Sequence, residues 1–278
     1  MEKCIGLLRL KNSIEYRKDQ VSGEINSVLD SLQSIEISIS NKCNRFCSFC
    51  PKKSGSFMST HTFSQIVKYL LDIEFTGRIG LSGFGEPLIN KELSTMILLA
   101  GKLPGTIEIV TNGDYLDVKL VKILDYIGVD KFLISLYDGS HQIQEFEDIF
   151  EKAGVSIDKM ILRRRYETNK NFNNRAGLLN KEKKDGPCYL PFYKLMINWN
   201  GDYHVCSNDW TGTTAKFNVR NMSIKEFWVS KQMEEYRLDL LQGKRSLSPC
   251  NKCDCEGTLV GEAQFNYFEK HYEKNTLE

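Results

Sequence analysis

An α/β fold built on a parallel sheet, either doubly wound or curled into part of a barrel, is what the sequence predicts, with a smaller unit after it. Two observations predict it. From about residue 35 to 165, short β-branched runs alternate with amphipathic helical stripes, the signature of strand-helix units that lay parallel strands side by side. After Arg165 the chain turns polar, basic and strand-poor through "YETNKNFNNRAGLLNKEKKDG", which reads as a domain junction. The expected units are therefore an N-terminal helical extension over 1–34, the sheet-based unit over 35–165, and a C-terminal unit over 166–278.

Each element has its own signal. "SIEISIS" is the first strand, and Thr62 and Gln65 then have capping-box spacing, with Phe63, Ile66, Val67, Leu70 and Leu71 recurring on one helical face. "GRIGLSG" is the second strand. Leu93, Met96, Ile97 and Ala100 make the next helical stripe, with Gly101 placed to end it. "TIEIVTNG" is the third strand, followed by a helix from about Asp117 to Ile127. "KFLISLYDG" and "KMILRR" are two more strands, flanking a helix between about His141 and Ala153. Downstream, "YKLMINWNGDYHVCSND" reads as two strands turned at Asn200-Gly201. Ser223 and Glu226 repeat the capping-box spacing ahead of Phe227 and Trp228, and further helices cover Lys231 to Leu241 and "GEAQFNYFEKHYEK". In a parallel sheet, ligands gather at the carboxyl ends of the strands.

Composition narrows the function classes. The chain has 278 residues, 41% of them hydrophobic, and 37 basic against 36 acidic side chains, so no global field draws it to nucleic acid or to an anionic membrane. No apolar run approaches the roughly 20 residues of a membrane span, and the opening "MEKCIGLLRLKNSIEYRKDQ" lacks a secretory signal. A cytoplasmic location is expected. Nine clustered cysteines in a reducing compartment point to metal ligation rather than to disulfides.

"NKCNRFCSFCPKK" places Cys43, Cys47 and Cys50 just after the first strand with no histidine nearby. Three thiolates can hold three irons of a 4Fe-4S cube and leave the fourth without a protein ligand. The alternative is a zinc knuckle completed by a distant residue. Farther on, Cys188, Cys206, Cys250 and Cys253 suit either a fully ligated second 4Fe-4S cluster or a structural zinc.

The C-x3-C-x2-C spacing, with Phe49 just before the last cysteine, resembles the radical S-adenosylmethionine (radical SAM) enzymes. "GFGEP" (Gly83, Phe84, Gly85, Glu86, Pro87) is similar to that family's glycine-glutamate motif, whose backbone and carboxylate receive the SAM ammonium; a plain strand-to-turn connection is the other reading. The resemblance implies ribose and carboxylate contacts at Thr111, Asn112, Ser135, Tyr137 and Asp138, though the same residues suit ordinary turns. Arg163 and Arg165 share one strand face and Arg164 takes the other, so one of them either meets the SAM carboxylate or ends a solvated strand. "NNRAG", the hairpin "NWNGDYHVC", a helix with Trp228 and the final "CNKCDC" resemble the auxiliary-cluster region called SPASM, or its shortened twitch form with one cluster. Cys255 is left over as a buried thiol, a substitute ligand or a hydrogen-atom donor, and Cys4 is assigned to neither cluster.

What the resemblance implies is an α/β partial TIM-type (βα) barrel with a smaller C-terminal α+β domain of twitch or SPASM type. It implies two 4Fe-4S clusters, SAM, and an external electron donor such as flavodoxin or ferredoxin. The implied reaction begins with a 5'-deoxyadenosyl radical and ends, in twitch-bearing dehydrogenases of aminoglycoside biosynthesis, with a secondary alcohol oxidised on a small carbohydrate-like substrate. His204, Asp209 or one of Arg163 to Arg165 is then the candidate acceptor for the departing proton. A sugar or aminocyclitol epimerase using Cys255 competes with this reading. A peptide maturase is expected to need a leader-binding domain of around 80 residues, longer than the 34-residue N-terminal segment. A zinc-binding interaction module is the non-enzyme alternative, and it lacks the basic patch with interleaved aromatics that nucleic acid requires.

Overall fold

Alternation along β1 (Ser34–Ile37) sets up two unlike environments: Ile35 and Ile37 are fully buried in the core under the helices, while Ser34 and Glu36 point to the other face. The computed structural model describes residues 16–18, 20–21, 23–51, 55–167 and 173–275. Around β1 the sheet has seven strands in the order β5-β4-β3-β2-β1-β6-β7. They are β2 (Arg78–Leu81), β3 (Ile107–Thr111), β4 (Lys131–Leu136), β5 (Met160–Arg164), β6 (Lys194–Ile197) and β7 (Tyr203–His204). All neighbours run parallel except the last pair, β6 and β7.

Helices α1 (Thr60–Asp72), α2 (Leu93–Ala100), α3 (Val118–Tyr126) and α4 (His141–Ala153) connect the strands. They pack Phe63, Leu70, Met96, Val121 and Phe150 onto Ile79, Ile109 and Phe132 in one apolar layer. Each such side chain contributes about 1.5–3 kcal/mol on burial. This is the α/β architecture with a mainly parallel sheet that the alternating pattern predicts. The cap of α1 differs from the expected one: Ser59, not Thr62, is the N-cap and accepts from the Thr62 backbone N–H. Its β-region backbone frees the hydroxyl for capping, and Thr62 is already inside the first turn. Gly101 does end α2, but with φ −61° it makes no use of a glycine's left-handed freedom.

The opposite face of the sheet is charged. Register sets Ser34 beside both Arg78 and Lys194, and Gly80 beside Glu108. Arg78 Nε donates to Glu108 Oε2 at 2.9 Å, its Nη2 donates to Oε1, and its Nη1 donates to Ser34 Oγ at 3.1 Å. Lys194 pairs with Glu36, which also accepts from Ser82 Oγ at 2.6 Å. Burial alone would raise the Glu36 carboxyl, but Lys194 and Arg78 outweigh it and hold it at about 2. Gly80 makes room for the ladder, since a Cβ there would stand 2.6 Å from Arg78 Nη2.

β6 pairs with β1, so the first strand of the downstream hairpin continues the sheet rather than standing apart from it. Gly201 makes the hairpin turn at φ +85°. Helix α5 (Leu190–Tyr193) leads into β6, and α6 (Ile224–Trp228), α7 (Lys231–Leu241) and α8 (Glu262–Asn275) follow the hairpin. Ser223 and Glu226 form both bonds of the capping box expected for α6. Arg237, 1% exposed, lies between the Trp228 and Phe268 rings at 4.2 and 4.3 Å and donates to the carbonyls of Pro191 and Trp228. Half of the helical extension expected over 1–34 lies outside the described residues; of the rest, 16–18 are helical and 26–31 form bends and turns. Among the described residues no helix is long and apolar enough to cross a membrane.

Glu108→Ala leaves Arg78 charged and unpaired in the sheet interior, with side-chain exposures of 6% and 0% for the pair. It is expected to cost about 3–5 kcal/mol in urea unfolding. Replacing both partners together by Met and Leu should cost far less, and the shift in denaturation midpoint measures both.

Candidate active site

The carboxyl ends of the strands and the segments 173–175 and 207–210 enclose a cavity of about 360 Å³. Cys43, Cys47 and Cys50 line it. Their loop is closed at its base by a reciprocal pair, Asn41 N–H to Ser56 O at 3.1 Å and Ser56 N–H to Asn41 Oδ1 at 2.6 Å. At its tip Arg45 forks to two carboxylates. Its Nε and Nη2 reach Asp114 at 2.7 and 2.5 Å, and its Nη1 and Nη2 reach Asp138 at 2.8 and 2.5 Å. Arg45 also lies 5.1 Å from the centre of the Tyr137 ring, which stacks on Phe49 at 6.0 Å. The cysteine loop is thus tied to the ends of β3 and β4.

The "GFGEP" loop packs against that loop from the β2 side. A Cβ on Gly85 would come within 2.5 Å of Lys42 O and 2.6 Å of Ser40 O, so this glycine is needed for loop-against-loop contact. Gly83 has φ +109° and no room for a side chain beside Ser38 and Met196. Glu86 is 3% exposed and accepts from Thr111 Oγ1 at 2.6 Å, Asn112 N–H at 2.9 Å and Leu88 N–H at 3.1 Å. Burial pushes its carboxyl up to about 7 despite those bonds. Asn112 Nδ2 in turn contacts Cys43 Sγ at 3.7 Å.

Ser135, Tyr137, Arg163 and Arg165 line the same cavity. β5 stops at Arg164, and Arg165 opens a short 3-10 turn, yet Arg163 and Arg165 still face the cavity together while Arg164 does not line it. Arg163 Nη2 donates to Ser135 Oγ at 2.7 Å, and its buried Nε has no acceptor among the described residues. Burial, then the neighbouring Arg165, depress its pKa. Four expected site residues are elsewhere. Pro87 starts a buried turn behind Glu86, and Asp138 is taken by Arg45. His204 and Asp209, 2% and 0% exposed, bond each other at 3.2 Å outside the cavity. Asp209 also accepts from Thr213 N–H, Thr214 N–H and Thr214 Oγ1, which makes it the organiser of the loop after Cys206 and removes it as a proton acceptor for a cavity ligand.

Cys188, Cys206, Cys250, Cys253 and Cys255 line a second, smaller cavity. Arg245 closes it, donating to the carbonyls of Gly186, Pro187 and Cys255. Burial pushes the thiols of Cys188, Cys206 and Cys250 up, so their thiolates need a cationic partner. Cys253 is drawn down to about 7 by the thiol of Cys255. Among the described residues no three Cys, His, Asp or Glu side chains converge as ligands of one ion. Purely thiol donors, open on the first cavity and enclosed at the second, fit iron-sulfur clusters.

Comparison with known proteins agrees. Residues 37–170 match the Radical SAM superfamily, and residues 188–254 match SPASM, an iron-sulfur cluster-binding domain. The chain carries a radical SAM domain followed by a SPASM domain. It is a radical SAM oxidoreductase whose cofactors are a SAM-binding 4Fe-4S cluster, an auxiliary iron-sulfur cluster and SAM. It is 26% identical over 255 residues to S-adenosyl-L-methionine-dependent 2-deoxy-scyllo-inosamine dehydrogenase of Niallia circulans, covering 86% of this chain and 99% of that protein. A 34% identity to GTP 3',8-cyclase of Clostridium acetobutylicum spans 113 residues, 38% of this chain and 35% of that protein. Among solved structures, BtrN in complex with AdoMet and 2-DOIA shares the fold at TM-score 0.74 and 23% identity, covering 83% of this chain and 96% of that one.

Sequence reading passed over several residues that build this radical SAM site. Arg45 carried a signal, a lone cation inside a cysteine loop with acids just past two strand ends. Glu36, Arg78 and Glu108 stood at alternate positions of otherwise apolar strands. Trp210 and Arg175 carried none of their own. Arg45→Ala should lower iron retention at the three-cysteine loop by about 10- to 100-fold in chelator challenge. The melting temperature should change little, because the three side chains are 21–51% exposed.

Proposed function

We propose that this enzyme oxidises a secondary alcohol of a small carbohydrate-like substrate, a sugar or an aminocyclitol. In this reading Cys43, Cys47 and Cys50 hold the SAM-binding cluster, and Cys188, Cys206, Cys250 and Cys253 hold the auxiliary one. When bound, SAM and its cluster supply a carbon radical able to take hydrogen from an unactivated C–H bond, and the auxiliary cluster supplies a destination for the second electron of the oxidation.

The chain's own side chains prepare the site for those groups. Glu86, pinned by Thr111 and Asn112, receives the ammonium of SAM, and Arg163 turns its unpartnered Nε to the carboxylate. Phe49 and Tyr137 form the aromatic wall between the cysteine loop and β4, with Ser135 beside them. The single observation that carries the reading is a shared wall: Leu190, Asn208 and Cys255 line both cavities. A substrate held in the larger cavity is therefore one side chain away from the second thiol set, as an oxidation that sheds two electrons requires. The aminocyclitol dehydrogenase named above supports the same class, at 99% coverage of its length.

The deciding assay is anaerobic turnover of reconstituted enzyme with dithionite or reduced flavodoxin, SAM, and a panel of sugars and aminocyclitols. 5'-Deoxyadenosine should accumulate in step with a product two hydrogens lighter than its substrate. A product of unchanged mass in H2O that is about one mass unit heavier when formed in D2O would assign epimerisation instead.

SAM affinity should also follow the ionisation of Glu86, whose carboxyl burial holds at about 7. Binding a cation selects the carboxylate, so each pH unit below that value should weaken SAM binding up to about tenfold, and binding should fall again above about 8, where an α-amino group loses its proton. Glu86→Gln should bind weakly and without the low-pH slope in equilibrium dialysis between pH 6 and 8.5.

A further inference from the structure

Cations crowd one side of the large cavity. Arg45, Arg78 and Lys194 each have a carboxylate partner, whereas Arg175 donates its hydrogen bonds to neutral oxygens, Phe49 O at 3.3 Å and Asn173 Oδ1 at 3.2 Å, and the Cys50 thiol is the acidic group that acts most strongly on it. Its guanidinium carbon stands over the Trp210 ring, 5.1 Å from the ring centre. Its backbone sits at φ +52°, a region that non-glycine residues enter only when the surroundings hold them there. Trp210 is 5% exposed and lines the cavity, and its indole Nε1 has no acceptor among the described residues. A buried donor without an acceptor calls for an explanation, and a ligand oxygen supplies one. Arg165, at the end of β5, lines the same cavity, and burial together with Arg175 depresses its pKa, as expected of like charges held close.

SAM does not account for this wall. The molecule brings one carboxylate against an ammonium and a sulfonium, and Arg163 on β5 is already placed for that carboxylate. Arg175 and Trp210 come from the segments 173–175 and 207–210, which face the strand ends across the cavity. Asn173 Nδ2 donates to Asn208 Oδ1 at 2.8 Å and ties the two segments together. A guanidinium fork beside an unsatisfied N–H matches an oxyanion with several acceptor oxygens. We infer that Arg175, Arg165 and Trp210 form a subsite for an anionic group of the substrate, so that the substrate is a sugar or cyclitol bearing a phosphate ester or a carboxylate. The inference takes from the proposed function that the large cavity holds substrate beside SAM and that Arg163 meets the SAM carboxylate. It selects the acidic members of that class over the amino-substituted ones.

Calorimetric titration of the iron-loaded enzyme, with SAM present, tests it. The ligands are glucose 6-phosphate, glucuronate, glucose and glucosamine. At least one anionic sugar should bind about tenfold or more tighter than glucose and glucosamine, and whether glucose 6-phosphate or glucuronate leads identifies the oxyanion. Arg175→Gln should weaken that anionic sugar about tenfold or more, and Trp210→Phe, which keeps the ring, about three- to tenfold. Arg175→Lys should restore part of the loss, and the cluster absorption spectrum reports whether each variant is intact. Equal or tighter binding of glucose or glucosamine would overturn the inference. So would anion binding that SAM abolishes, or that an intact Arg175→Gln leaves unchanged. SAM cleavage is followed in parallel. Its failure with anion binding intact counts against the proposed function and not against the subsite, and cleavage without anion binding does the reverse.

Discussion

The ion ladder Lys194–Glu36–Arg78–Glu108 across one face of the sheet is the constraint on which the rest depends. A parallel sheet usually buries both faces under helices. Here the face carrying these side chains cannot be sealed by apolar helices, because each charge would lose its solvation without a fixed partner. The ladder satisfies its members in place, so the face stays polar and a cavity remains against it. Ile35, Ile37, Ile79 and Ile109 on the other face collapse under α1 to α4 and hold the strands rigid. One face gives stability and the other gives a working surface.

Rigid strands alone do not order the loops at their ends. The cysteine loop contributes little to the core, with Phe46 74% exposed, so its shape depends on polar ties. Those ties run to loops that must themselves be placed: Arg45 to Asp114 and Asp138, Lys42 O to the Glu86 N–H, and Asn90 Nδ2 to Ile39 O. Each strand-end loop supports another, and positions converge that lie 51 to 93 residues apart for the side-chain ties. Arg45 suits this work because a planar fork can satisfy two carboxylates at once.

The downstream half reaches the site through β6. Because β6 hydrogen-bonds to β1, the thiols that follow the hairpin inherit a fixed position relative to the cysteines that follow β1. Asp209 fixes the loop after Cys206, and Arg237 and Arg245 clamp the neighbouring segments by carbonyl contacts. The two cavities therefore sit either side of one wall, with Leu190, Asn208 and Cys255 shared.

The sequence by itself determined much of this protein. Alternating strand and helix periodicity specified five strands and four helices in order, because that pattern follows from which faces are buried. The three-cysteine loop, the glycine-glutamate loop and the second thiol set were legible because their chemistry needs particular residue types at close spacing. Only tertiary structure decided the rest. Asp138 read as a ligand contact and proved to be the partner of Arg45, and Asp209 read as one candidate proton acceptor among several and proved to be bonded to His204 away from the cavity. Nothing local separates these outcomes, since an acid past a strand end has the same signature whether it faces a ligand or an arginine 93 residues away. The wall shared by the two cavities, and the pairing of Arg175 with Trp210 across it, arise from strand order and return loops, which a linear pattern does not encode.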